Sequence, residues 1–202
     1  MGIQLGKRRY ALGFTVVEIL IVIVVIGILI GIVTLLYPGY QKRTRDAERK
    51  SDMAQLATGF AAYALQKNNF MTSGSGCGLY GNGNGWLSAG PSDLAVYPKS
   101  MATCLQEAGV LRDTDFKDPL NCVYDSGGVC GTYRGTPVQA YMKATCLKSS
   151  VPITYILSHL ENEPRKDAEV DALCDPGSVS DFTTVSQKWG TDYGMNYYVT
   201  VK

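Results

Sequence analysis

The sequence predicts an α+β protein: a long N-terminal α-helix, membrane-spanning in its first half, packed against an antiparallel β-sheet head that is stapled by disulfides. Three observations carry this prediction. Residues 19–41 form a run of 23 residues without a charge. Segments after residue 138 alternate apolar and polar side chains, which is typical of strands. All six cysteines follow the apolar run.

The apolar run is long enough to cross a membrane. At about 1.5 Å of rise per residue, a helix of this length extends roughly 35 Å. The hydrocarbon core of a bilayer is about 30 Å thick. The cysteines place the chain after the run in an oxidising compartment, outside the cytoplasm.

The residues before the run do not read as an ordinary secretory signal. Such a signal ends in a cleavage site after its apolar stretch, whereas here Lys7-Arg8-Arg9 and Gly13 precede it. A cut between Gly13 and Phe14 would keep the apolar run on the mature protein. It would also create an α-amino group four residues before Glu18, the one carboxylate at the entrance of the run. An ionised carboxylate in a membrane is costly and needs a partner. Alternatively, Glu18 lies at the lipid interface and reaches water.

The stretch Gly13-Phe14-Thr15-Val16-Val17-Glu18, followed by Ile19-Leu20-Ile21-Val22-Ile23, resembles the class III signal of type IV pilins and type II secretion pseudopilins. The resemblance implies cleavage after Gly13 by a prepilin peptidase and N-methylation of Phe14. It also implies that Glu18 contacts the N-terminus of an adjacent subunit during assembly. The stretches 45–52 and Phe116-Lys117-Asp118-Pro119 also resemble this family.

We expect three parts: a leader peptide (1–13), an N-terminal helix (14–68) and a globular head (69–202). Within the helix, residues 14–40 form the transmembrane part and filament core, and residues 41–68 are amphipathic. Gly27 and Gly31 lower helix propensity, and Pro38 removes a backbone donor. In related filaments this part of the helix is partly unwound once packed, so the resemblance implies a weak helical segment between Gly27 and Tyr40, with an ordinary kinked membrane helix as the alternative.

The second half of the helix begins with a charge-dense stretch, 42–52, which reads as a solvated helix face, with pairing between the subunits of a filament as the alternative. Met53, Leu56, Phe60 and Tyr63 then recur at helical spacing and predict an apolar stripe that packs on a sheet. Asn68-Asn69 ends the helix near Lys67.

The head begins with a glycine-rich loop, residues 73–90. Ser100 is placed to cap a short helix that runs through Ala108 and ends at Gly109. We predict strands at 138–146, 153–160 and 196–201, a short hairpin within 122–133, and a connecting loop over 161–175. The first of these strands alternates, so it predicts one buried and one solvated face.

The even number of cysteines indicates a disulfide framework, for which three bridges allow 15 connectivities. Reduced, buried thiols are the alternative. We predict pairing between sequence neighbours, and the three pairs are Cys77–Cys104, Cys122–Cys130 and Cys146–Cys174.

The composition excludes several classes of function. The net charge is +1, and without the leader's three cations it falls to −2 (+1 − 3), which argues against bulk nucleic-acid binding. The chain lacks the motifs of hydrolases, zinc proteases and EF-hands, so we expect no enzyme activity, cofactor or metal. Asp113, Asp115 and Asp118 remain an alternative calcium loop, because related pseudopilins use such a loop. His159 is expected to be a packing residue.

The sequence therefore predicts a structural subunit of a type IV pilus. Its partners would be further copies of itself, the prepilin peptidase and methyltransferase, the inner-membrane assembly platform and, before assembly, membrane lipid. It would pass once through the inner membrane with its head outside and then become part of an extracellular filament. The alternatives are a pseudopilin of a type II secretion or DNA-uptake system and a low-copy tip adhesin.

Overall fold

The structure is a computed structural model, and it describes residues 14–72, 74–78, 81–87, 99–112, 116, 118–120, 141–175 and 189–202. The predicted leader with Gly13, the 122–133 hairpin with Cys122 and Cys130, and residues Asp113, Asp115 and Lys117 lie outside these ranges. The chain divides into two compact units, Met1–Gln41 and Lys42–Lys202, which are described separately.

Helix α1 runs from Val16 to Lys67 and passes through both units. Gly27, Gly31 and Pro38 are helical residues within it. The predicted weakness of this segment stays a prediction. At the other end, Asn68 has a positive φ of 54°, which takes the chain out of the helix where the asparagine pair was expected to end it.

The first unit carries no buried side chain among its described residues, 14–41. Ile26 is the least exposed of its large apolar side chains, at 48%. Of the helices among the described residues, α1 is the one that is long and apolar enough to cross a membrane. The apolar surface of this unit therefore has no cover from within the unit itself.

The second unit is built around a four-stranded antiparallel sheet in the order β1-β2-β3-β4. The strands are β1 Gly85–Trp86, β2 Met142–Lys148, β3 Val151–Ser158 and β4 Tyr197–Val201. Three short helices complete it: α2 Met101–Glu107, α3 Asp167–Asp171 and α4 Trp189–Tyr193. Together with α1, this sheet confirms the predicted α+β fold.

Both faces of the sheet are covered. On one side Ile156 and Val201 belong to an apolar cluster with Leu56 and Phe60 of α1. On the other side Met142 and Leu157 pack with side chains of α3 and α4. The prediction of one solvated face was therefore wrong for the described part of the first strand, because Lys143 is as buried as its neighbours Met142 and Ala144.

Two disulfides tie loops to regular elements. Cys77–Cys104 joins the glycine-rich loop to α2, with the Cα atoms 6.3 Å apart. Cys146–Cys174 joins β2 to the segment after α3, with the Cα atoms 5.7 Å apart. Both are sequence-neighbour pairs. The segment 161–175, predicted as a loop, contains α3 as well.

Candidate functional site: the signal helix and its anchor on the head

The start of α1 is held by a reciprocal pair of hydrogen bonds between Thr15 and Glu18. Thr15 Oγ1 accepts from the backbone N–H of Glu18 at 3.2 Å, and Glu18 Oε2 accepts from the backbone N–H of Thr15 at 2.8 Å. The Thr15 hydroxyl also donates to Glu18 Oε2 at 2.9 Å. This is a capping box, which satisfies amide groups that the first helical turn leaves unpaired.

Sequence reasoning missed this local role of Glu18, although the Thr-x-x-Glu spacing is its signature. Both carboxylate bonds use Oε2, and among the described residues no hydrogen bond reaches Oε1. A carboxylate has about four acceptor positions. Glu18 can therefore cap its own helix and still accept a second donor from outside the chain.

Gly27 and Gly31 also lie in the uncovered part of α1. A Cβ atom built on either glycine meets no atom within 4 Å beyond the helix's own nearby backbone. Phe14, the residue expected to be methylated, is 83% exposed. In the first unit's described part, the Gly31 carbonyl oxygen accepts the hydroxyl of Thr34 at 2.9 Å, and the Cβ positions of both glycines face open space.

The second half of α1 is fixed to the head by a buried guanidinium. Arg49 has no solvent exposure. It donates two hydrogen bonds to Asp118, from Nε to Oδ2 at 2.8 Å and from Nη2 to Oδ1 at 3.1 Å. Its Nη1 donates to Asp46 at 3.0 Å and to Glu161 at 3.1 Å. A paired fork of this kind is the strong form of a charge-assisted hydrogen bond.

A second arginine and backbone amides complete this anchor cluster, defined as Arg45, Asp46, Arg49, Asp118 and Glu161. Arg45 forms two bonds of 2.7 Å to Glu161, and Asp46 accepts the backbone N–H groups of Glu161 and Asn162 at 2.8 and 2.9 Å.

The charges of the cluster stabilise one another's ionised forms. Hydrogen bonding to Arg45 is the main reason that the pKa of Glu161 lies below its ordinary value. Burial alone would lower the pKa of Arg49, but its bonds and attraction to Asp118 and then to Glu161 raise it overall.

The same geometry bears on the alternative calcium loop. Both oxygens of Asp118 accept hydrogen bonds from Arg49, and Oδ1 also accepts the backbone N–H of Leu120 at 2.9 Å. The other two aspartates of that loop lie outside the described residues. Within the described ranges, no three acidic, histidine or cysteine side chains group as a metal site would require.

Lys143 is a second buried cation that the sequence did not reveal. Its Nζ donates to the carbonyl oxygens of Gly83 at 2.6 Å and Met71 at 3.3 Å, and to Thr145 Oγ1 at 2.9 Å. It also lies 5.5 Å from the centre of the Phe60 ring. Burial lowers the pKa of Lys143 to about 7. Lys143 thus ties two loop segments to the face of the sheet that packs on α1.

His159 is half-buried, and its Nδ1 lies 2.7 Å from the carbonyl oxygen of Gly194. Burial is the main reason that its pKa lies below the ordinary value. This contact fits a packing residue.

Comparison with known proteins gives one match, to a sequence motif near the N-terminus. Residues 8–34 match the family model of the prokaryotic N-terminal methylation motif. No curated protein and no solved structure matches the chain. The match covers Arg8 and Arg9 before the apolar run, the Gly13–Phe14 junction, Glu18 and the first part of α1. The chain therefore carries the class III signal of the type IV pilin and pseudopilin superfamily, at the start of an α+β fold that fits a pilin.

Proposed function

We propose that this protein is a structural subunit of a type IV pilus, which polymerises through the first half of α1 after its leader has been removed. The observation that carries the proposal is the uncovered apolar surface of residues 14–40, all of which are exposed. A contiguous apolar surface of this size marks a site that lipid or protein must cover. In this proposal the cover is lipid first and further copies of the chain afterwards, and the match to the methylation motif supports that order.

Processing precedes assembly in this proposal. A prepilin peptidase cuts between Gly13 and Phe14, and methylation then modifies the new amino group of Phe14. Until extraction, residues 14–40 cross the inner membrane and the head lies outside, where disulfides persist. The inner-membrane assembly platform then moves subunits into a filament by heterologous contacts that do not close, which generate an open helix.

Glu18 sets the axial register. Its carboxylate pairs with the Phe14 amino group of an adjacent copy, so that each incoming subunit docks at one height. Support comes from the geometry of the capping box, which leaves Glu18 Oε1 available while Oε2 serves the helix.

The processing step is tested by mass analysis of the N-terminus of the protein in cells. We expect the mature chain to begin at methylated Phe14. A chain that begins at Met1, or one cut beyond Gln41, contradicts the proposal.

Two variants at one position separate the local and the intersubunit roles of Glu18. Glu18→Gln keeps a side chain that suits a capping box but removes the charge, whereas Glu18→Ala removes both. We expect both variants to lose filaments, measured as sheared pilin relative to the membrane pool. Thr15→Ala is the matched control, since it weakens the box and keeps the carboxylate, and it should retain most filaments. Normal polymerisation of Glu18→Gln would show that capping alone suffices.

The segment 116–119 favours a second candidate, a pseudopilin of a secretion or DNA-uptake system, because it resembles the corresponding pseudopilin segment. Electron microscopy of a deletion strain, with and without the restored gene, distinguishes the two: a pilus subunit restores long surface filaments. Copy number in sheared filaments separates a major subunit from a low-copy tip adhesin.

A further inference from the structure

The charge-dense part of α1 divides into residues that the head uses and residues that it leaves exposed. The eight charged side chains between residues 42 and 52 include the anchor-cluster members Arg45, Asp46 and Arg49. Lys50 pairs with Glu163 at 2.9 Å, and Asp52 accepts the hydroxyl of Tyr141 at 2.7 Å. The three that remain, all exposed and without an ion pair among the described residues, are Lys42, Arg43 and Glu48.

These exposed charges point in different directions around the helix. At about 100° per residue, Arg43 lies about 120° to one side of the buried Arg49, and Glu48 lies about 100° to the other side. The base and the acid therefore occupy opposite flanks of the helix, away from the head. Lys42 differs, because it lies within about 20° of the direction of Arg49.

Opposite flanks are what a repeated side-by-side contact requires. In a heterologous interface, one flank of each copy meets the other flank of the next. An acid on one flank and a base on the other can then pair between copies at every contact, while like charges never meet.

The axial spacing of the pair agrees with the register set at the N-terminus. If the Phe14 amino group of one copy lies level with Glu18 of its neighbour, parallel helices are shifted by four residues, or about 6 Å. Arg43 and Glu48 are five residues apart, or about 7.5 Å. Between parallel helices of the second unit, a shift of the same size and direction would bring Arg43 to within about 1.5 Å of the level of Glu48 on the adjacent copy. Long side chains easily bridge that difference.

We propose that Arg43 of one copy forms an ion pair with Glu48 of the adjacent copy, as a second register contact on α1 beyond the apolar segment. The inference rests on the proposed function, because it takes its axial shift from the Glu18 contact. Its partner is a second copy of this chain. A competing partner for Arg43, the phosphate of a lipid headgroup, gives a different result in the experiment below.

The experiment uses the full chain in its own host, with the chromosomal copy deleted, and measures sheared filaments against the membrane pool. The variants are Arg43→Glu, Glu48→Arg and the double swap Arg43→Glu/Glu48→Arg. An exposed ion pair changes an equilibrium constant by up to about fivefold, and each single reversal replaces attraction with repulsion. We expect each single reversal to lower the filament fraction at least about fivefold, and the double swap to restore it to within about twofold of the parent chain.

Lys42 supplies the matched control, since it is also an exposed base, one residue away on a different side of the helix. Lys42→Glu should change the filament fraction less than about twofold. Lys42→Glu/Glu48→Arg should stay as low as Glu48→Arg alone. Rescue by the Lys42 swap would overturn the assignment, because it would show that only net charge matters.

A second measurement addresses the pair directly. In the double variant Arg43→Cys/Glu48→Cys, sheared filaments should give an oxidant-dependent ladder of cross-linked subunits, which Arg43→Cys or Glu48→Cys alone should not give. A loss of the membrane pool in Arg43→Glu, without rescue by Glu48→Arg, would assign Arg43 to lipid headgroups and overturn the proposal. Filaments unaffected by either reversal would overturn this inference alone. If the parent chain itself formed no filaments, both the proposed pilus function and this inference would be overturned.

Discussion

The two halves of α1 share one regular helix and differ in almost everything that their side chains meet. Residues 14–40 are mostly apolar, with Glu18 as their one charged side chain, and each of them is exposed. In the second half, by contrast, Arg49, Met53 and Phe60 have no solvent exposure, although the stretch is rich in charge. Apolar side chains are thus exposed throughout the first half, whereas the second half buries a charged side chain, Arg49, beside its apolar stripe. The difference shows that the buried side chains of the second half find their partners within their own unit. The apolar surface of the first half, by contrast, is left without a cover.

The largest expected effect comes from breaking the anchor cluster. Arg49→Met leaves Asp118 buried without its cation, and removal of one partner from a buried pair typically costs about 3–5 kcal/mol. Chemical unfolding of the full chain in detergent, followed by near-UV circular dichroism of the head, measures this loss. Arg43→Met, the exposed counterpart on the same helix, should change the free energy of unfolding by less than about 0.5 kcal/mol. Equal effects of the two variants would mean that the cluster does not hold the helix to the head.

The same substitution in both units sharpens the comparison. Ile156→Ala empties a fully buried position of the sheet, and such a cavity costs about 2–5 kcal/mol. Ile21→Ala alters a side chain that is 56% exposed, so the expected change in head unfolding is below about 0.5 kcal/mol. A large effect of Ile21→Ala on the head would contradict the separation of the two units.

A third comparison uses the pH dependence that Lys143 should give. Its pKa is about 7 in the folded protein and near its ordinary value, about 10.4, in the unfolded chain. Between these values the unfolded chain binds more protons, so the free energy of unfolding should rise as the pH rises from about 7 to about 10. Lys143→Met should lack this rise, and exposed Lys67→Met should keep it. A parent chain without the rise would show that Lys143 stays charged in the fold.

Local signals predicted part of this molecule well. The end of α1 near Lys67 and the Ser100 cap of α2, whose Oγ accepts the backbone N–H of Thr103 at 3.0 Å, each depend on residues within one turn. Disulfide neighbours such as Cys77 and Cys104 were likewise predicted from order along the chain alone.

Contacts between distant residues account for what the sequence did not reveal. The stretch 42–52 reads as a solvated face because two of the acids that pair with the buried Arg49 lie far along the chain. These two acids are Asp118 and Glu161. Lys143 looks solvent-facing in an alternating strand, because nothing nearby in sequence shows that α1 covers that side of the sheet. The Thr15–Glu18 capping box could have been predicted, because the Thr-x-x-Glu spacing is its sequence signature. The prediction for Glu18 considered only its membrane environment.

The capping box has a consequence for maturation. All of its atoms belong to residues 15–18, so excision of the first thirteen residues removes none of its hydrogen bonds. The helix should therefore begin at the same residue in the precursor and in the trimmed product. The change expected from the proposed cleavage is electrostatic: a new ammonium would lie beside the partially positive end of the helix dipole, and Glu18 in the first turn would be the nearby negative charge that stabilises both. Cleavage would thus add a positive charge at the N-terminus of α1 without changing the length of the helix.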